Sequence, residues 1–229
     1  MKPLVKATQD RDQLQDIGRA SIQIVHDLKN QLNGLKLYAT FLRKRMEKSE
    51  RPPDEQETVN KLILGLERAA EDLSMIVSYG RPLELKKQPG VDLHKIMRSV
   101  CAGLNDNRNG TGSLTGSLSF ESELACLGEY DPTLIADAFR SISTGALRMA
   151  LQQGPLQPVM VRFTKREDSM SPAVLIEWLG VKHLDHDPFR SFAGSDEIRM
   201  SLAAKIIEAH GGSAGYENGV LRIELPLVL

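Results

Sequence analysis

The sequence predicts an α+β protein: a long antiparallel helical hairpin, four-helix when two copies pair, followed by an α/β sandwich. Three observations carry this. Apolar residues recur in steps of three and four through the first part of the chain, which is the helical period. The run Arg51-Pro52-Pro53 interrupts that pattern once, and proline both removes a donor and restricts the residue before it. Beyond residue 88 short strand-like runs alternate with amphipathic helices between Gly, Asn and Pro signals. The division falls into residues 1–87 and 88–229.

The first helix spans about Thr8 to Lys48, with a seam at Leu14, Ile17, Ser21, Ile24, Leu28, Leu32, Leu35, Ala39, Leu42 and Met46. The spacing places Ile24 and Leu28 in the buried seam. Asp54 is the expected N-cap of the second helix, with Glu57 three residues on in an approximate capping box. Its seam runs Val59, Leu62 (Ile63), Leu66, Ala69 (Ala70), Leu73, Ile76 (Val77) and Gly80, until Arg81-Pro82. A lone hairpin cannot enclose both seams, so pairing with a second copy into a four-helix bundle is expected.

In the second part, residues 83–87 read as a short strand and Val91-Asp92-Leu93 as the opening of a helix to about Leu104. Residues 105–116, rich in Asn, Gly, Ser and Thr, read as a loop. Ser117–Leu127 alternates loosely, as one or two short strands. Asp131-Pro132 starts a helix to about Gln152, with aspartate as cap and proline at the first position. Val159–Thr164 and Ala173–Trp178 read as paired strands. A helix over 196–209 ends at Gly211-Gly212, and Ser213–Glu217 with Val220–Leu225 forms a hairpin turned at Asn218-Gly219.

The formal charge of −1 over 229 residues excludes a generic nucleic-acid or anionic-membrane surface. No apolar run approaches the ~20 residues of a membrane span, and the N-terminus lacks the apolar core of a signal peptide. Cys101 and Cys126 have no metal-ligand spacing and read as reduced thiols. The expectation is a soluble, cytoplasmic protein without a sensor segment.

The chemistry concentrates on Ile24-Val25-His26-Asp27-Leu28-Lys29-Asn30-Gln31-Leu32. Counting by three and four gives a polar stripe of Arg19, Gln23, His26, Lys29, Asn30, Asn33 and Lys36, so His26 should meet solvent. A neutral imidazole is a nucleophile near neutral pH, and an adjacent carboxylate orients it or takes its proton. Asp27 is that carboxylate. Asn30, one turn on, is placed to hold a phosphoryl oxygen or a water, and Lys29, Arg19 and Lys36 supply positive charge for a phosphoryl group or an acidic partner.

His26-Asp27-Leu28-Lys29-Asn30-Gln31-Leu32 resembles the phosphoacceptor box of sensor histidine kinases, with Gln31 where that box usually has proline. The resemblance covers nearly the whole chain. Residues 8–81 resemble the dimerisation and histidine phosphotransfer hairpin, and residues from about 88 to 229 the catalytic and ATP-binding domain, a Bergerat-type sandwich. Asp131, Leu134, Phe139, Ile142, Ala146 and Leu147 follow the helix that normally carries the Asn box. Asp187-Pro188-Phe189-Arg190-Ser191-Phe192 is similar to the phenylalanine-containing box. Ala203-Ala204-Lys205-Ile206-Ile207-Glu208-Ala209-His210-Gly211-Gly212 is similar to the helix after the second glycine box, and Leu225-Pro226-Leu227 to the final strand.

The nucleotide-binding elements depart from the family pattern. Ser141 and Gly145 stand where the two asparagines of the Asn box belong, one of them a magnesium ligand. Trp178-Leu179-Gly180-Val181-Lys182 stands where an Asp-x-Gly-x-Gly element would contact adenine, and Ser195-Asp196-Glu197-Ile198-Arg199 where a glycine-rich loop would approach the phosphates. Glycines let backbone approach a phosphate, whereas a glutamate repels it. Each charge-assisted contact contributes ~1.5–3 kcal/mol, so losing two lowers affinity by on the order of 10²–10⁴. The domain is therefore expected to keep the fold without useful ATP binding, and no cofactor is expected.

What the resemblance implies is a homodimeric histidine phosphotransferase. Its His26 exchanges a phosphoryl group with the aspartates of response-regulator receiver domains, which bring their own magnesium; Asp27, Lys29 and Asn30 serve the same face. The alternatives are an active histidine kinase with a divergent ATP/Mg site, or a pseudokinase or phosphatase-type regulator that binds a receiver. The run His183-Leu184-Asp185-His186-Asp187 reads as a solvated loop rather than a metal site, His94 as structural, His210 as a cation at a helix C-terminus, and Trp178 as core.

Overall fold

The computed structural model describes residues 3–47, 53–106, 118–121, 125–151, 158–166, 172–181, 184–192 and 195–228, with the side chains of the first helix from Ser21 onward. The expected polar loop at 105–116 lies mostly outside these residues, as do His183, Arg51 and Pro52. The chain divides into two compact units, Met1–Pro82 and Leu83–Leu229.

The first unit is the hairpin: α1 (Pro3–Met46) and α2 (Pro53–Gly80). Helix α2 begins at Pro53, where a missing N–H costs nothing. Asp54 thus lies inside the first turn rather than capping it, and with Glu55 it sets acidic charge against the positive end of the helix. Ala39 of α1 and Ile63 and Val77 of α2 are buried between the helices, and Lys36 spans them to Glu67 at 2.8 Å.

The second unit is a five-stranded sheet covered on one face by helices. Its elements are β1 (Gln88–Asp92), α3 (Leu93–Asp106), β2 (Leu118–Glu121), β3 (Leu127–Tyr130), α4 (Pro132–Leu151), β4 (Val159–Arg166), β5 (Ala173–Leu179), α5 (Ser195–Ala209), β6 (Ser213–Glu217) and β7 (Val220–Pro226). The sheet order is β2-β4-β5-β7-β6. Only the β2–β4 pair is parallel; the other pairs are antiparallel. Register follows from alternation: Val174, Ile176 and Trp178 of β5 pair with Leu225, Ile223 and Leu221 of β7, and all six are buried. A one-residue slip would turn every one of them to solvent. The opposite face carries the pair Glu177–Arg222 at 2.9 Å.

Leu93, Met97, Ile135, Phe139, Ile142, Met200 and Ile207 from α3, α4 and α5 complete this core. Trp178, fully buried, donates its indole N–H to Ser143 Oγ of α4 at 2.9 Å, which makes it the core residue expected. His94 is likewise buried, against Phe120 and Phe163.

Two expectations are corrected. Residues 83–87 form no strand. The strand lies at Gln88–Asp92, pairs with β3 in a two-stranded ribbon and absorbs a bulge at Gly90 (φ 71°). Val91 and Asp92 belong to that strand rather than to the helix, because Asp92 Oδ1 accepts from the His94 and Cys126 N–H groups and α3 starts at Leu93.

The paired strands β4 and β5 and the closing hairpin form as the sequence predicts, with Asn218 (φ 52°) and Gly219 (φ 77°) supplying the left-handed turn. Gly212, after α5, packs so tightly that a Cβ there would run into the Glu224 carbonyl and Ile207. Gly212→Ala should therefore lower stability by ~1–3 kcal/mol, measured by urea unfolding.

Candidate functional site

Helix α1 presents three rows, of which α2 covers one. The row toward α2 includes Val25, Leu32, Lys36 and Ala39, all at least half-buried. A second row carries Ile24, Leu28, Leu35 and Leu42, and it is exposed: Ile24 by 60% and Leu28 by 44%. The expectation that these two are buried is thus corrected for the single chain, since α2 covers only one side of α1. The third row is polar and runs His26, Asn30, Asn33 and Lys44 in steps of three and four. Within it stand Leu37 and Phe41, both exposed. These two were not singled out in the sequence, although the same spacing that aligned Asn30 and Asn33 with His26 reaches them.

The imidazole of His26 is half exposed. Its Nδ1 lies 3.6 Å from Asp27 Oδ1 and 3.4 Å from the Asn30 side-chain nitrogen. Gln23 donates to Asp27 Oδ1 at 3.2 Å and holds that carboxylate toward the ring. Neutral imidazole carries one proton, and the two neighbours of Nδ1 favour opposite tautomers: a carboxylate accepts Nδ1–H, whereas an amide N–H donates to a bare Nδ1. With the proton on Nδ1, facing Asp27, the Nε2 lone pair is the nucleophile. Among the described residues nothing hydrogen-bonds to Nε2. His26, Asp27 and Asn30 therefore lie together on α1. Lys29 is half-buried on the flank toward α2, Lys36 is committed to Glu67, and the Arg19 side chain lies outside the described residues.

In the second unit, Ser141, Gly145 and Arg148 follow one another along α4 at helical spacing. Gly145 is buried, and a Cβ there would meet Met200 Sδ of α5 at 2.6 Å. Met200 is fully buried, so its side chain fills the space that a larger residue at 145 would enter. The segment Ser195–Arg199 is the first part of α5 rather than a loop, with Asp196 and Glu197 in its first turn.

Arg148 pairs with Asp196. Glu197 takes one contact from His186 Nε2 at 3.0 Å and another from Ser191 Oγ. Asp187 caps the short turn Pro188–Arg190 by accepting the Phe189 N–H, and Phe189 is buried below it. Among the described residues no group of three or more His, Cys, Asp or Glu side chains is arranged for a metal ion.

His210 is not the helix-end cation the sequence suggests. It is buried, its Nε2 accepts the Asp131 N–H at 3.0 Å, and its Nδ1–H donates to the Ile206 carbonyl at 2.8 Å. Burial holds its pKa below the usual histidine value, so it is neutral.

No family model matches the chain, and no curated protein matches its sequence. Solved structures do match its fold. The chain has the two-part fold of two-component histidine kinases, a helical hairpin followed by an α/β sandwich of the ATP-binding-domain type. Full-length ShkA, in complex with AMPPNP, superposes with a TM-score of 0.67 at 16% identity over 90% of this chain. This chain spans only 45% of ShkA. Histidine kinase ThkA, in complex with response regulator protein TrrA, matches over 100% of this chain and 68% of its own, with a TM-score of 0.59 at 18% identity. Histidine kinase AdeS of Acinetobacter baumannii gives 0.52 at 16% identity, over 86% of this chain and 95% of AdeS. Among the described residues no helix is long and apolar enough to cross a membrane.

If Met200 and Gly145 share one space, Gly145→Asn should cost ~1–3 kcal/mol. Adding Met200→Ala should recover part of that loss, with a coupling of ~0.5–3 kcal/mol in a double-mutant cycle of unfolding free energies.

Proposed function

We propose that this chain is a homodimeric histidine phosphotransferase of a two-component relay, and that His26 exchanges a phosphoryl group with receiver-domain aspartates without using ATP. The observation that carries the reading is the environment of His26: a half-exposed imidazole with a carboxylate 3.6 Å from Nδ1 and, among the described residues, no hydrogen bond to Nε2. In the forward step Nε2 attacks the phosphorus of a receiver's aspartyl phosphate. The P–O bond to the aspartate breaks as the P–Nε2 bond forms, and the receiver recovers its carboxylate. The ring keeps its Nδ1 proton and becomes positive, and the Asp27 carboxylate stabilises that charge. Asn30, whose amide N–H cannot donate to a protonated Nδ1, donates instead to the incoming phosphoryl oxygens. The reverse step passes the group to a second receiver, and magnesium is the receiver's own.

The exposed pair Leu37 and Phe41 supports a protein partner for the His26 row, because two large apolar side chains on a polar stripe favour docking over solvation. The complex of ThkA with a response regulator supports a receiver as that partner. The second exposed row (Ile24, Leu28, Leu35 and Leu42, with Leu62 and Ile76 on α2) supports pairing with a second copy into a four-helix bundle. Absence of ATP use is supported by Met200 against Gly145 and by the acidic first turn of α5, where Glu197 would repel a phosphate.

Incubation with a phosphorylated receiver should label the protein, and His26→Ala should abolish the label; a label that persists overturns the reading. Should His26→Ala still strip phosphate from the receiver, the chain is a phosphatase-type regulator instead. Micromolar binding of ATP with magnesium in calorimetry would make it a kinase. Leu37→Asp or Phe41→Asp should slow transfer by about tenfold or more while leaving the dimer intact. Leu28→Asp with Leu35→Asp should instead give a monomer in sedimentation.

A further inference from the structure

Asp131 joins three parts of the second unit. Its Oδ1 accepts the Thr133 and Leu134 N–H groups at 3.1 Å each and so caps α4. Its Oδ2 accepts the Lys86 N–H at 2.9 Å, from the segment by which the chain leaves the hairpin and enters this unit. Its own N–H donates to His210 Nε2 at the end of α5. Burial pushes the Asp131 carboxyl up, but the backbone N–H groups of Lys86, Leu134 and Thr133 hold it below the usual carboxylate range. It is an anion throughout the neutral range.

The histidine is the one member of this set that can titrate near neutrality. Its two nitrogens are already assigned, one accepting and one donating, so a second proton would set an Nε2–H donor against the Asp131 N–H donor. We propose that His210 is a proton-sensitive pin: protonation breaks its bond to the Asp131 amide, and the displaced Asp131 releases Lys86 and with it the entry segment. Among the described residues, the charged groups facing the ring are Lys87 of that segment, which opposes protonation, and Asp131 before α4, which favours it. Tyr130 of β3, with its ring centroid 6.0 Å away, also packs there, and burial raises its pKa so far that it stays neutral. The helix end itself adds the Ile206 carbonyl, which favours the proton on Nδ1.

The sign follows from linkage. A histidine whose folded pKa is lowered binds its proton more readily when released. Its contribution to closure is present above the free value of about 6.5 and is lost as pH falls from there toward the folded value.

The test is amide hydrogen exchange on the full chain at about pH 8 and about pH 5, corrected for intrinsic exchange. Protection at Lys86 should fall by several-fold, on the order of ten, in acid. Amides of the central strand β5, such as Ile176, serve as the internal reference and should keep theirs. His210→Gln, whose side-chain oxygen can accept the same N–H without titrating, should keep Lys86 protected at both pH values. His210→Ala should leave it unprotected at both. Equal protection of Lys86 in wild type at both pH values overturns the proposal. So does a parallel loss in β5, which would mean that the whole unit opens, and so does acid release in His210→Gln.

Discussion

An antiparallel pair of helices can close only one interface against itself, and the working surface of the hairpin follows from that limit. With about 3.6 residues per turn, α1 has room for three rows, and α2 covers one. Ala39 of α1 and Ile63 and Val77 of α2 are buried there. The remaining two rows of α1 stay open, one apolar and one carrying His26. A histidine on the covered row would have been sealed; on the apolar row it would compete with whatever covers Leu28 and Leu35. Its actual row leaves Nε2 open while Asp27, held by Gln23, faces Nδ1 from within the same helix.

The second unit solves a different problem. Its sheet buries one face under α3, α4 and α5, and the helix that carries Ser141 and Gly145 is pressed against α5 closely enough for Met200 to lie on the glycine. The first turn of α5 is tied down from two directions, by Arg148 through Asp196 and by His186 and Ser191 through Glu197. These contacts consume polar groups between α4, α5 and the segment before α5, and they place carboxylates at the N-terminal end of α5, whose positive charge would otherwise attract an anionic ligand. Asp131 and His210 then fasten the entry segment to the same unit through backbone amides.

Much of this was legible from periodicity and from residue chemistry. The two long helices, Asp131 as cap of α4, the β4–β5 pair and the Asn218-Gly219 hairpin depend on local patterns that neighbours in the chain enforce. His26 with Asp27 and Asn30 was legible for the same reason, because one helix positions all three. Leu37 and Phe41 obey the same spacing, but an apolar residue in a helix reads first as core. Ile24 and Leu28 failed in the opposite way: periodicity says that a face is apolar, not which partner covers it.

The sequence by itself thus determined the two long helices, the closing hairpin at Asn218-Gly219 and the constellation around His26, since each rests on contacts within a few residues. Only the tertiary structure decided that His210 is a buried acceptor for Asp131 rather than a surface cation, that Val91 and Asp92 extend a ribbon with β3, and that Met200 fills the space beside Gly145. The physical reason is common to all three. Each depends on residues tens of positions apart meeting in a packed interior, where burial changes the protonation state or the available volume, and no local pattern encodes that meeting.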